Sequence, residues 1–206
     1  MNRVLSYIDG LNLYHGLRSR EWKKYYWLDL VGLTQRLLKQ QQILEAVHYF
    51  TSTILPRDGH DSAMRRQICY LDALRTLPLL NIHLGRFSEK SSQCRHCGAE
   101  WRKYEEKMTD VNIATQLLTD AFDDRFETAL LISADSDLTT PVRVIRCRFP
   151  QKRVIVAWPP ERRSEDLRRA ATASTSISET ALRLSQLPET VTSESGHVLK
   201  RPKEWH

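Results

Sequence analysis

The chain has 206 residues, enough to bury a core without the staples a mini-protein needs. Its 41% hydrophobic and 27% charged residues are ordinary for a soluble globular protein, and no run approaches the roughly eighteen consecutive apolar residues of a membrane helix. An excess of Lys and Arg (31) over Asp and Glu (25) gives a formal charge of +6, which leans towards polyanionic partners.

In chain order, Arg3 to Ile8 reads as a strand that ends in the loop signal "DGLN". Leu28 to Gln40 has helical apolar spacing, and Ile43 to Ile54 is rich in β-branched and aromatic residues, which predicts a second strand. A long amphipathic helix is expected over Asp61 to Leu77 and a third strand over Leu79 to Phe87. A Cys-x-x-Cys insertion then occupies residues 88–104. Thr109 to Phe122 reads as a helix whose apolar face carries Val111, Ala114, Leu117, Leu118 and Ala121. Thr128 to Ser133 is a strand, and Ser136 to Cys147 a helix that tolerates Pro141 near its first turn. Lys152 to Trp158 is a strand, and "PPERRSEDLRRAA" leads into a further helix. Strands that alternate with helices and run apolar almost throughout predict an α/β fold with a mostly parallel central sheet. One domain is expected over residues 1–187, with 188–206 a polar tail, either a packed strap or a loose end; Val198 and Trp205 point to packing.

In open α/β sheets, ligands bind beyond the carboxyl ends of the strands. Asp9 follows the first strand directly, and Asp135 and Asp137 follow the strand ending at Ser133. Asp110 opens the helix that runs back along the sheet, so its end of that helix lies near the others. A cap at Thr109 or Asp110 is the plain alternative. Clustered carboxylates need a neutralising cation, and hard ions such as Mg²⁺ or Mn²⁺ choose oxygen ligands. An acidic pocket on a basic protein suits phosphodiester cleavage, with the ion at the centre and Lys and Arg around it.

Three segments in order resemble the NYN domains, PIN-like nucleases: "YIDGLNLY" (Tyr7 to Tyr14), "EEKMTDVNIATQLLTDA" (Glu105 to Ala121) and "ALLISADSDLTTPV" (Ala129 to Val142). The resemblance implies a PIN-like three-layer α/β/α sandwich and metal-dependent cleavage, usually of RNA. It implies Asp9, Asp110 and Asp135 as catalytic metal ligands, with Asp137 a fourth, direct or through water. Asn12 would orient Asp9 or contact a phosphate, Lys107 would position substrate, and Ser133 and Ser136 would brace the acidic loop. Ala134 departs from the family, which commonly has Gly there.

Export signals are not apparent, so a cytoplasmic setting is expected, and with it reduced cysteines rather than disulfides. Cys94 and Cys97 then read as half of a zinc knuckle, with His83 or Cys69 as candidates for the missing ligands and free thiols at a hairpin tip as the rival. Between Pro141 and Ala170, nine basic residues face three acidic ones, equal to the excess of the whole chain. Nucleic acid, above all RNA, is the expected partner, with no membrane role and with a homo-oligomer left open. The rivals are a non-catalytic RNA-binding module and a small-molecule enzyme that uses the same acidic crevice.

Overall fold

The computed structural model describes residues 2–54, 61–93, 96–98, 100–193 and 195–206, with the backbone alone at 61, 86–92 and 100–107. Strand β1 (Asn2–Asp9) passes straight into helix α1 (Gly10–Ser19), followed by α2 (Leu30–Leu37), β2 (Gln42–Ser52), α3 (Asp61–Arg75), β3 (Leu80–Gln93) and β4 (Glu100–Lys107). The second half runs α4 (Thr109–Phe122), β5 (Thr128–Ile132), α5 (Thr139–Arg148), β6 (Arg153–Trp158), α6 (Glu165–Ala170), β7 (Ala173–Ser176) and α7 (Glu179–Arg183). A small hairpin of β8 (Thr190–Thr192) and β9 (Val198–Lys200) ends the chain.

Seven strands form one sheet in the order β4-β3-β2-β1-β5-β6-β7. Every neighbouring pair is parallel except β3–β4, a long antiparallel hairpin. The order turns back at β1, which pairs with β2 on one side and β5 on the other. This is the switch point where a crevice opens at the carboxyl ends of an α/β sheet. The α/β architecture is the expected one, with helices on both faces.

The pleat of β1 explains both layers, because alternate residues face opposite sides. Val4 and Ile8 join a core with Leu13 and Leu17 of α1, Leu30 and Leu33 of α2, and Leu74 of α3. Leu5 and Tyr7 join the opposite core, with Ile113 and Leu117 of α4 and Val142 and Ile145 of α5. Asp9 has the parity of Tyr7, so its carboxylate emerges on the α4 side.

The "DGLN" loop does not exist as a loop. Asp9 ends β1 and caps α1, its side chain accepting from the Asn12 backbone N–H. Helix α4 presents Ile113, Leu117, Asp120 and Ala121 inward, whereas Val111 is 65% exposed, so the buried stripe sits slightly off the expected face. The tail is the packed strap: Trp205 lies edge-on to Tyr26 at 5.7 Å and to Tyr70 at 5.9 Å. Upstream of it, the indole N–H of fully buried Trp27 donates to the Pro188 carbonyl at 2.7 Å. Among the described residues no helix is long and apolar enough to cross a membrane.

One buried polar chain lies on the α4 side of the sheet. The Tyr7 hydroxyl donates to Asp120 Oδ2 at 2.8 Å, Gln116 donates to the same oxygen at 3.0 Å, and His48 Nδ1 meets His83 Nε2 at 3.0 Å. Burial pushes the His48 imidazole down to about 4, against the pull of Asp120 at 3.7 Å, and burial lowers His83 as well. Folded His48 is therefore neutral where the unfolded residue, near 6.5, takes up a proton. The unfolded chain binds more protons between those values, so stability is intact above about 6.5 and falls as the pH drops through the window. By this linkage the domain should lose on the order of 2 kcal/mol between about pH 7 and 5. Denaturant midpoints across that range test it: a His48→Gln variant should lose most of the slope, and equal slopes would contradict it.

Candidate functional site

Three of the expected acids meet. Carboxylate oxygens of Asp9, Asp110 and Asp135 all lie within 4.8 Å of one another. Asp9 is 3% exposed, while Asp110 and Asp135 reach solvent. β1 and β5 are hydrogen-bonded neighbours, which puts their carboxyl ends side by side. Asp110 comes from the first turn of α4, whose amino end sits at the same edge. Neither Thr109 nor Asp110 is the cap of that helix. Met108 holds that position with a left-handed φ of 82° and makes no side-chain capping bond. This conformation is uncommon outside glycine, and it turns the chain from β4 into α4 two residues before Asp110.

Asp9 is fixed through both oxygens. Oδ1 accepts from the Asn12 N–H at 2.9 Å and Oδ2 from the Ser133 hydroxyl at 2.8 Å. Ser133 is fully buried, and its oxygen also accepts from the Asp135 N–H at 3.0 Å, so one hydroxyl joins the two strand ends. Asp135 Oδ1 in turn accepts from the Asp137 N–H at 2.9 Å and caps the short 3₁₀ turn Ser136–Leu138. Ser136 is exposed, and its hydroxyl makes no hydrogen bond among the described residues. Asp137 is exposed and lies outside the three-acid group; it contributes its backbone N–H. Ala134 has no positive φ, so its departure from Gly carries no backbone penalty.

The Asn12 side chain turns to two other elements. Its Oδ1 accepts from the Ala134 N–H at 3.2 Å and from Arg162 Nε at 2.8 Å. Arg162, missed as a site residue from sequence, comes from the loop after β6. That loop is tied down twice: Pro159 and Pro160 pack on α1 where Gly16 leaves no room for a Cβ, and Glu161 pairs with Arg20. The signal was available, because β6 is parallel to β5 and its carboxyl end faces the same crevice. The guanidinium's two terminal nitrogens have no partner among the described residues.

Other expectations separate. The Lys107 backbone ends β4, but its side chain lies outside the described residues, as does Cys94 altogether. Cys97 is exposed. His83 stands far along β3 from the end of that strand at Gln93. Ten residues of continuous strand β3 separate it from Gln93, on the order of 30 Å of rise, and it is engaged with His48 and stacked on Phe50 at 4.5 Å. Cys69 lies on α3 beneath the tail, where its thiol donates to the Lys200 carbonyl at 3.4 Å. The late basic cluster also divides: Lys152 is buried against Asp124 and the Phe126 carbonyl, and Arg146 holds the carbonyls of Ala170 and Ala171.

The family model for the NYN domain matches residues 3–179. The chain is similar to 6-hydroxy-3-succinoylpyridine 3-monooxygenase of Pseudomonas putida, with 28% identity over a 178-residue alignment that covers 70% of this chain and 55% of that enzyme. It thus spans about half the length of that curated relative. A crystal structure of a protein of unknown function from Vibrio parahaemolyticus has a TM-score of 0.54 at 19% identity, covering 90% of this chain and 96% of that one. This likeness concerns the fold.

Proposed function

The chain belongs to the NYN domain family, and from that premise we propose that it is a metal-dependent nuclease that cleaves phosphodiester bonds, with RNA as its substrate. The observation that carries the proposal is the convergence of Asp9, Asp110 and Asp135 at the switch point of the sheet. An all-carboxylate donor set, buried on one side and open on the other, fits a hard divalent ion such as Mg²⁺ or Mn²⁺ rather than a thiophilic one. When bound, such an ion supplies charge neutralisation at the phosphate and activation of water.

The chain's own residues do the rest. Asp9, held by Ser133 and the α1 cap, cannot swing away from the crevice. Asp110 and Asp135 close the triangle from two other elements, so the three negative charges are assembled by the fold before any ligand arrives. Arg162 faces this acidic edge from the Asn12 side and holds a phosphate oxygen of the strand there. Lys107, at the end of β4, positions the substrate beside the acids. Removal of one charge-assisted hydrogen bond costs about 1.5 kcal/mol or more, roughly tenfold. Arg162→Ala should therefore weaken RNA affinity about tenfold while the Asn12–Ala134 bond preserves the loop. Unchanged affinity would remove Arg162 from the site.

The direct test incubates the protein with labelled single-stranded RNA, structured RNA and single-stranded DNA, in Mg²⁺, in Mn²⁺ and in EDTA. Cleavage of RNA that needs the ion is the expected result. Cleavage that persists in EDTA overturns the proposal, and tight RNA binding without cleavage favours a binding module instead. A second reading has one observation behind it: the Pseudomonas putida relative is named as a monooxygenase of a pyridine compound. Under it, the same acidic crevice serves a small molecule, and every nucleic acid would survive while the divalent ion still binds.

A further inference from the structure

A second cavity opens on the other face of the sheet, at the same carboxyl edge. It measures about 520 Å³, within the range of small-molecule sites. Gly10 and Leu11, the residues directly after Asp9, form one wall, and Tyr49 of β2 forms another. Burial pushes the Tyr49 phenol up to about 12, with the charge of Asp9 adding to it, so this wall and the acid cluster are electrostatically adjacent.

Each wall is built by local geometry. Helix α3 contributes Ala63, Arg66, Gln67 and Tyr70, spaced to share one helical face. Gln67 is locked at both ends of its amide: it accepts from the Ile54 N–H at 2.6 Å and donates to the Ser52 carbonyl at 2.8 Å. Helix α1 contributes Tyr14 and Arg18, one turn apart. The tail adds a further wall with Glu204 and Trp205. Glu204 pairs with Arg66 at 2.8 Å, and the Trp205 carbonyl accepts from Arg201 at 3.1 Å. Both Glu204 and Trp205 lie beyond the residues matched by the family model, so the enclosure is built partly outside the shared domain.

Two properties define what fits. First, rings line part of it: Tyr14 is 40% exposed and stands 5.2 Å from Tyr26, with Trp205 and Tyr70 beyond. Partly bared aromatic faces around a space of this size favour a planar ring, by stacking or edge contact. Second, the lining carries Arg18, Lys23 and Arg66 against Glu204. Arg66 is paired, whereas Arg18 and Lys23 have no carboxylate partner among the described residues. An anionic group on the ring would meet them.

We propose that this cavity binds a planar aromatic ring bearing an anionic group. A nucleotide unit meets that description, and so does a free aromatic carboxylate. The inference goes beyond the nuclease reading and does not need cleavage to be true.

The experiment uses the full chain in EDTA, so that the carboxylate cluster holds no ion. Uridine monophosphate, adenosine monophosphate and nicotinate are titrated separately while tryptophan fluorescence and calorimetry are followed, with inorganic phosphate as the ring-free control. Saturable one-to-one binding is expected for at least one of the three, at least tenfold tighter than phosphate, with Tyr14→Ala weakening it about tenfold through lost stacking. Arg18→Ala should weaken it about fivefold through lost charge. Both side chains are exposed, so neither variant threatens the core. Preference for the nucleotides identifies a nucleic-acid unit as the source, and preference for nicotinate identifies a free acid; either supports the site. No saturation below about 10 mM, binding no better than phosphate, or affinity untouched by both variants would overturn it. Because EDTA removes cleavage from the measurement, a failure here leaves the nuclease reading standing, and the reverse also holds.

Discussion

An Asp135→Asn variant should fold normally and lose ion-dependent RNA cleavage by a factor of at least about 100, the loss typical when one preorganised electrostatic group is removed. The substitution is nearly isosteric. Asn keeps an Oδ1 that can still accept from the Asp137 N–H, the bond Asp135 makes at 2.9 Å, so the 3₁₀ turn remains capped. What disappears is one of three negative charges that converge within 4.8 Å. Two readouts separate a site effect from a folding effect. The melting temperature without metal should match the parent, whereas the stabilisation the parent gains from Mn²⁺ should shrink, because only a bound ion adds stability by mass action. Equal cleavage by both proteins would remove Asp135 from the chemistry. Asp137→Asn makes the useful contrast: its carboxylate is outside the three-acid group, so its effect should be much the smaller.

Gly10→Ala should be as damaging by a different route. A Cβ at Gly10 would lie 2.7 Å from the Phe50 carbonyl oxygen and 2.7 and 2.8 Å from the Tyr49 ring. One of these neighbours is backbone, in the register partner of Asp9, and cannot turn aside. Helix α1 must then back away from β2, and it carries the Asp9 cap and Asn12 with it. Overpacking of this kind costs about 1–3 kcal/mol, and a displacement near 1 Å at reacting groups costs about 100-fold in rate. The variant should therefore melt several degrees lower and cleave about 100-fold more slowly. A protein of parental stability and activity would show that the wall yields.

The carboxyl-end rule made most of the centre legible. Asp9, Asp110 and Asp135 were identified because each stands next to an apolar run whose direction is readable, and the three apolar runs belong to β1, α4 and β5. Signals failed where one residue type serves two purposes. "Asp-Gly" reads as a turn, yet here Asp9 is a helix cap and Gly10 is required by close approach to β2, so α1 went unseen. Leu13 and Leu17, one turn apart and both buried, were the clue to it. Strand β7 has no apolar alternation to detect, since all four of its residues are exposed. Lys152 looked like part of a basic surface and is buried. His83 looked like a metal ligand, but pairing across the sheet with His48 is a tertiary fact that no spacing announces. Arg162 is different: its position after the carboxyl end of β6 was readable, and only its bond to Asn12, 150 residues away, was not.

The sheet is open, so its two outermost strands each leave a row of backbone groups that another chain could copy. One such rim is β4, "EWRKYEEK", in which only Trp101 and Tyr104 are uncharged. The other is β7, four residues long, small and hydroxylated apart from Ala173. Charge on one rim and brevity on the other are the devices by which natural sheets resist edge-to-edge growth. A layer of seven strands is thereby kept finite, and its aggregation is opposed at both margins without any residue of the acidic centre being spent on the task.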